Sequence, residues 1–351
     1  MNTSSARPCS PWGRSRSLLS GVVLLGGGLL IGLSAVAWGV RILASDGVAS
    51  LQKIAWIPVP ALLGGLLLGT AAAAVGGSIA RRRWGRGLVP AGAVLLVVVA
   101  GEHLVTRWGW PKACGDPIRI IHWNATSPSP DEAVGQRADL AGREWDVLVV
   151  SNDASLFGRW FAHRWEDGPR GEAWPIRRAG PFAMVTAHRV LESRLAIASG
   201  GIWLGVFRIE LPVEGGREVT IHVLDLPSDP GISRRDLLTD LRRRLDDLQL
   251  PAPDLVMGDL NLDAGSRSLA TAYPKLEPAF DVAGEGYAAS YPRDWPLWQT
   301  DQMMVAPDLP ICRYRFIDLG FGTHRAQELS IERSGDGQRP SAGSNRLQIS
   351  P

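Results

Sequence analysis

Apolar residues are distributed along this chain in two different ways, and the change falls near Thr106. Before that point they form long unbroken runs. Twenty-four uncharged residues lie between Arg16 and Arg41, 27 between Lys53 and Arg81, and 15 from Gly87 to Gly101. A helix needs about 20 apolar residues to cross roughly 30 Å of hydrocarbon, so the first two runs predict membrane spans. The third spans if it continues through Glu102 to Val105 with that carboxylate at the interface, and a re-entrant or interfacial segment is its alternative. The spans are expected at about 17–40, 54–80 and 87–106, together forming a membrane anchor over 1–106. A signal peptide competes for the first run, but that run is long for an h-region and two more follow it.

Beyond a connector at 107–117 the apolar runs shorten to strand length. Strands are expected at Ile118–Trp123, Asp146–Ser151, Phe182–Thr186, Leu195–Ser199, Trp203–Ile209, Glu218–Leu224 and Asp254–Met257. The clearest helix starts at Ser233, with Asp236 as the acidic partner of a capping box. Leu237, Leu238, Leu241, Leu245 and Leu248 form its apolar face, opposite Arg242, Arg243, Arg244, Asp246 and Asp247. Strands in blocks with interspersed helices predict an α+β domain over 118–331. The remainder, 332–351, is rich in Ser, Gly, Arg and Gln and reads as a disordered tail.

Charge sharpens this division. Through Thr106 there are nine Lys/Arg against two Asp/Glu, and from Arg107 onward 28 against 33, a balance of −5. The soluble half therefore lacks a phosphate-attracting field, which disfavours avid non-specific binding of nucleic acid. The basic residues are also unevenly placed between the spans. Arg7, Arg14 and Arg16 precede the first, and Arg81, Arg82, Arg83 and Arg86 join the second to the third, whereas the intervening loop holds Arg41 and Lys53 with Asp46. Positive-inside orientation then makes the N-terminus cytoplasmic, and three crossings put the soluble domain on the other side. Gly26-Gly27-Gly28 and the Gly65/Gly69 spacing suit close helix packing. Of three cysteines, Cys114 and Cys312 share the soluble half, where they pair in an oxidising compartment or stay as buried thiols.

The string most specific for chemistry is Met257-Gly258-Asp259-Leu260-Asn261, at the end of an apolar strand. Asp and Asn two residues apart share one edge, where they can hold a water and a phosphate oxygen together. With four other strings in order along the chain, it resembles the endonuclease/exonuclease/phosphatase family. His122-Trp123-Asn124 is similar to that family's strand-terminal Asn, and Asp146 to Asn152 to its strand ending in Gln-Glu. Tyr291-Pro292 followed by Trp298 to Val305 looks like the penultimate motif, and Gly322-Thr323-His324-Arg325 stands where the family has Ser-Asp-His-Arg.

The resemblance implies a DNase I-like four-layered β-sandwich with flanking helices, which would follow the three transmembrane helices read from the apolar runs. It also implies a metal-dependent hydrolase of phosphoester bonds. Asp259 would orient or deprotonate the attacking water, and Asn261 and Asn124 would hold the phosphate and metal environment. His324 would contact the scissile phosphate, with Asp301 fixing its tautomer. Asn124, Asn152 and Asp153 are the expected ligands of Mg²⁺ or Mn²⁺. Three departures stand against this: Asn152 replaces a metal-anchoring Glu, Thr323 replaces an Asp, and Asp225 stands where a His is expected. Asn and Thr lack the charge that a hard dication prefers. Asp225 can replace a carboxylate, and Asp153 can do so only where the strand end is irregular. Either a membrane-anchored hydrolase of a phosphoester substrate or a catalytically degenerate binding module at the bilayer follows.

Overall fold

The computed structural model describes residues 11–80, 83–125, 140, 142–152, 164–165, 174–213, 216–263 and 265–333. Of the proposed tail 332–351, Glu332 closes a strand and residues 334–351 fall outside the described residues, as does Asp153. The chain forms two compact units. One comprises the described residues of Met1–Trp108 together with Asp229–Arg244 and Asp263–Tyr273, and the other contains the rest.

In the first unit the long apolar runs are helices: α1 (Pro11–Leu43), the short α2 (Gln52–Ala55), α3 (Val59–Ala80) and α4 (Arg83–Arg107). Stretches of three of them, Leu18–Leu43, Val59–Ile79 and Gly87–Arg107, are long and apolar enough to cross a membrane. The third run is therefore one continuous helix. It contains Pro90 at the fourth position of the span, where the preceding turn lies at the span's edge. Glycines bring α1 and α3 into backbone contact. A Cβ on Gly27 would lie 2.6 Å from the Gly69 carbonyl oxygen, and one on Gly69 would lie 2.8 Å from that of Gly27. Leu18, Leu25, Leu68 and Val97 point outward, giving an apolar surface suited to lipid rather than water.

The second unit is built on fifteen described strands: β1 (Trp108–Gly109), β2 (Pro117–Asn124), β3 (Val147–Ser151), β4 (Arg164–Trp165), β5 (Trp174–Ala179), β6 (Phe182–Thr186), β7 (Val190–Ser199), β8 (Ile202–Leu211), β9 (Arg217–Asp225), β10 (Leu255–Asp259), β11 (Glu277–Pro278), β12 (Gly284–Tyr287), β13 (Asp301–Val305), β14 (Ile311–Ile317) and β15 (Ala326–Glu332). They form a nine-stranded sheet in the order β1-β12-β14-β15-β2-β3-β6-β5-β4 and a six-stranded sheet in the order β11-β13-β10-β9-β8-β7. Alternate residues of both sheets meet in one core. Ile118, Ile120, Val147, Val149 and Met184 come from the first, and Phe207, Ile221, Val223, Met257 and Met303 from the second. The opposite face of the nine-stranded sheet buries Ile121, Trp123, Leu148 and Val150 with Trp145 and Trp174. The soluble half is thus the expected α+β sandwich.

Helix α5 (Arg234–Asp247) begins after Ser233, whose hydroxyl accepts the Asp236 N–H at 3.3 Å. Its leucine face holds for four residues. Leu248 lies one position past the last turn and is exposed, because the chain leaves the helical period there. Cys114 and Cys312 form a disulfide across 198 residues of sequence.

A disulfide closing so long a loop is expected to contribute about 2–5 kcal/mol. Thiol alkylation of the unreduced, denatured protein should label Cys9 alone by intact mass. Cys312→Ser should lower the denaturation midpoint of the full-length protein.

Candidate active site

Strand ends from both sheets converge on one cluster in the second unit. In the nine-stranded sheet, β2 and β3 run parallel, delivering Asn124 beside Ser151 with Asn152 next in the chain. In the other sheet, parallel β9 and β10 end on the register partners Asp225 and Asp259. Antiparallel β13 begins at Asp301, directly opposite Asp259. A parallel pair must place its two C-terminal ends side by side, which is why residues far apart in sequence meet here.

Gly258 makes that meeting possible. Its φ is +151°, and a Cβ there would come within 1.7 Å of the Leu224 carbonyl oxygen, so β10 can lie this close to β9 only without a side chain. Asn152 and Asn261 hold left-handed conformations, φ +56° and +46°, which Asn tolerates better than most residues. The chain therefore leaves the strand conformation directly after β3 ends at Ser151.

The cluster is linked by hydrogen bonds. Asn152 Nδ2 donates to Asp225 Oδ2 at 2.9 Å and to Asn124 Oδ1 at 3.2 Å, and Asn124 Nδ2 donates to Asp259 Oδ2 at 2.9 Å. The Asn261 backbone N–H donates to Asp259 Oδ1 at 3.2 Å, while its side chain donates to the Leu226 carbonyl at 2.8 Å. His324 Nδ1 lies 2.7 Å from Asp301 Oδ2, and its Nε2 lies 3.9 Å from Asp259 Oδ2. Asp301 also receives the Thr300 hydroxyl at 3.2 Å, and its own N–H donates to Ser290 Oγ at 3.1 Å. The Tyr291 ring covers the imidazole at 4.9 Å between centroids. Asn124, Asn152, Asp259, Asn261, Asp301 and His324 are thus brought together. Two further residues join them, Asp225, which the sequence offered as a replacement carboxylate, and Tyr291. Asp225 is legible as the partner of Asp259 once β9-α5-β10 is recognised as a parallel crossover. The contact of Tyr291 with His324 has no local signal.

Burial sets the electrostatics. Asp259, Asp301 and His324 are all buried, and one ligand atom from each lies within 4.8 Å of the others. Burial and then the charge of Asp301 push Asp259 up to about 8, although His324 pulls the other way. Burial likewise raises Asp225 to about 6, against the hydrogen bond from Asn152. Burial opposes charge on His324, but Asp301, Asp259 and Asp225 outweigh it and bring the imidazole up to about 9. Burial also opposes charge on Asp301, and the imidazolium overcomes it, holding that carboxyl below its usual range. His122, by contrast, is pushed down to about 4 by complete burial and bonded at 2.8 Å to both Ser151 and Gln327; it is a structural residue.

Three carboxylates and one imidazolium leave the cluster short of positive charge. Among the described residues, Asp301 Oδ1 is buried without a hydrogen-bond partner. Oxygen donors crowded in this way fit a hard divalent cation. Asp259 and Asp225 would supply charge and Asn124 and Asn152 amide oxygens, with Asp225 supplying the charge that Asn152 lacks.

No family profile matches the sequence, and no curated protein matches it. Solved structures with a similar fold include a mannosyl-6-phosphatase of Bacteroides thetaiotaomicron, at 11% identity, TM-score 0.47, covering 61% of this chain and 99% of that one. An endonuclease/exonuclease/phosphatase family protein from the same organism aligns at 12% identity, TM-score 0.44, over 62% and 98%. The inositol polyphosphate 5-phosphatase domain of a synaptojanin, solved with inositol (1,4)-bisphosphate and calcium, aligns at 13%, TM-score 0.36, over 62% and 84%.

Two substitutions test this geometry. Gly258→Ala should cost about 3 kcal/mol or more, measured by chemical denaturation, because neither strand can move aside. Asp301→Asn should let His324 fall from about 9 toward the ordinary imidazole value of about 6.5, followed by NMR titration.

Proposed function

We propose that this chain is a membrane-anchored, outward-facing, metal-dependent hydrolase of phosphoester bonds, of the phosphodiesterase, endonuclease or phosphatase type. The observation that carries it is the buried Asp259–His324–Asp301 cluster, with ligand atoms within 4.8 Å of one another. Its members come from the strings that resemble the endonuclease/exonuclease/phosphatase family. The disulfide between Cys114 and Cys312 supports the outward orientation, since such bonds persist in oxidising compartments.

Asp259 would accept the proton of the attacking water, and Asn261 would keep that carboxylate oriented through its backbone N–H. His324, held by Asp301, would direct its Nε2–H at a non-bridging phosphoryl oxygen and offset the charge that builds there. Water oxygen bonds to phosphorus, the ester P–O bond breaks, and the released alkoxide takes up a proton from solvent. Mg²⁺ or Mn²⁺ bound by Asp259, Asp225, Asn124 and Asn152 would polarise the phosphoryl group as a Lewis acid. In this role Asp259 must be ionised, yet without a cation its proton is held up to about pH 8. Cation and proton therefore compete.

The test is Mn²⁺ binding to the full-length protein by calorimetry across pH. Below about 8 one proton should leave per ion, so affinity should rise about tenfold per pH unit from 6 to 8 and level off above. Asp259→Ala should abolish binding. A folded protein that binds neither Mg²⁺ nor Mn²⁺ would overturn the hydrolase and leave a binding module at the membrane.

A further inference from the structure

A row of polar side chains crosses the nine-stranded sheet on its core face, among apolar neighbours. Tyr314, Gln327, His122 and Ser151 come one each from β14, β15, β2 and β3, which are consecutive in that sheet. All four are fully buried. Alternation puts them on the face of Ile120, Val149 and Leu329, directed at the core between the sheets. Tyr314 Oη lies 2.6 Å from Gln327 Oε1, Gln327 Nε2 lies 2.8 Å from His122 Nδ1, and His122 Nε2 lies 2.8 Å from Ser151 Oγ. An apolar row of similar volume would pack here without the desolvation cost that four polar groups carry.

The first member of the row decides which way it donates. Burial, with the charge of Asp301, holds the Tyr314 phenol well above its ordinary value, while hydrogen bonds from the Met303 backbone and the Gln299 side chain act the other way. Groups that ease the ionisation of a phenol donate to its oxygen, so the phenol's own proton goes to Gln327 Oε1. The amide nitrogen then faces His122 Nδ1, which must accept. The imidazole, kept neutral by burial, therefore carries its proton on Nε2 and donates to Ser151 Oγ. Ser151 has its own proton left to give. Of its two register partners, Phe182 on β6 offers no side-chain acceptor and Asn124 on β2 offers an amide oxygen. Such an oxygen accepts two hydrogen bonds, one of them here from Asn152, while the nitrogen of the same amide donates to Asp259.

We infer that Tyr314, Gln327, His122 and Ser151 form a one-way hydrogen-bond chain whose last donor, the Ser151 hydroxyl, fixes the Asn124 amide with its nitrogen toward Asp259. The two ends of an amide are alike in size, and Asn152 beside it is an amide as well, so that pair does not choose a direction by itself. A hydroxyl whose own direction is fixed does. Ser151 and His122 are positioning residues in this scheme, acting on Asp259 through Asn124 and touching no reacting atom. The task for which Asp259 is held rests on the hydrolase proposal, whereas the direction of the chain does not.

Two readouts on the full-length protein in detergent micelles, neither using metal or substrate, test the chain. Nitrogen-15 NMR of labelled histidine at neutral pH should find His122 protonated at Nε2 and bare at Nδ1, and Gln327→Glu should move a proton to Nδ1. A proton on Nδ1 in the unaltered protein would overturn the inference. The side-chain amide protons of Asn124 should exchange with solvent roughly tenfold faster in Ser151→Ala and in Gln327→Met, and no faster in the double variant, because both cut one chain. Unchanged exchange in both single variants would overturn it too. Should Gln327→Met fail to fold, Gln327→Glu, which keeps an acceptor for Tyr314 and loses the donor to His122, serves in its place. Where the protein binds Mn²⁺, Ser151→Ala should weaken that binding about tenfold, and an unchanged affinity would overturn the positioning role. A protein that binds no Mn²⁺ yet gives both NMR results loses the hydrolase and keeps the chain, so the two failures are distinguishable.

Discussion

Burial of two carboxylates around one imidazole is the constraint on which the soluble half turns. Asp259 and Asp301 are opposite each other on antiparallel strands, and a pair of like charges out of water is costly. His324 relieves one of them through its 2.7 Å contact with Asp301. Burial, and then the charge of Asp301, raises the other to about 8. Asp301 Oδ1, without a hydrogen-bond partner among the described residues, expresses the same shortage of positive charge in hydrogen-bond terms. A chain that sustains this arrangement needs a rigid apolar frame, and the shared core of the two sheets supplies it.

That frame dictates the geometry through strand direction. β2 and β3 are parallel in one sheet, β9 and β10 in the other, so each pair brings two polar ends to one edge. The Asn124 to Asp259 hydrogen bond then joins one sheet to the other at the site itself. Gly258 sets how closely β10 approaches β9, and the left-handed residues Asn152 and Asn261 turn the chain away immediately afterwards. Each of these is a local concession, a missing side chain or an unfavourable dihedral, confined to the place where chemistry is concentrated.

The substitution of Asn152 for an expected glutamate looks, in sequence, like the loss of a ligand. In the fold, Asp225 at the end of β9 in the other sheet accepts a hydrogen bond from Asn152, so a carboxyl group stands beside the amide. The amide now bridges Asp225 and Asn124, which a second carboxylate could do only by repelling the first.

Much was legible without coordinates. Uncharged runs of 24 and 27 residues read as long apolar helices, and the folded chain has helices there long and apolar enough to cross a membrane, while short continuous apolar runs specify buried strands such as Phe182–Thr186, whose limits coincide with β6. The motif strings identified Asn124, Asp259, Asn261, Asp301 and His324, since residue type and order survive in one dimension. Sequence left the pairing of Cys114 with Cys312 open, offered Asp225 as a replacement carboxylate without its hydrogen bond to Asn152, and gave no sign of Tyr291 over His324. Nor did it reveal that Asp46 and Gln52, unremarkable in a short loop, bind segments about 180 to 220 residues further along. Periodicity and motif report what each segment can bury or bind by itself. Which segments become neighbours is decided by sheet order and strand direction, and those exist only in the folded chain.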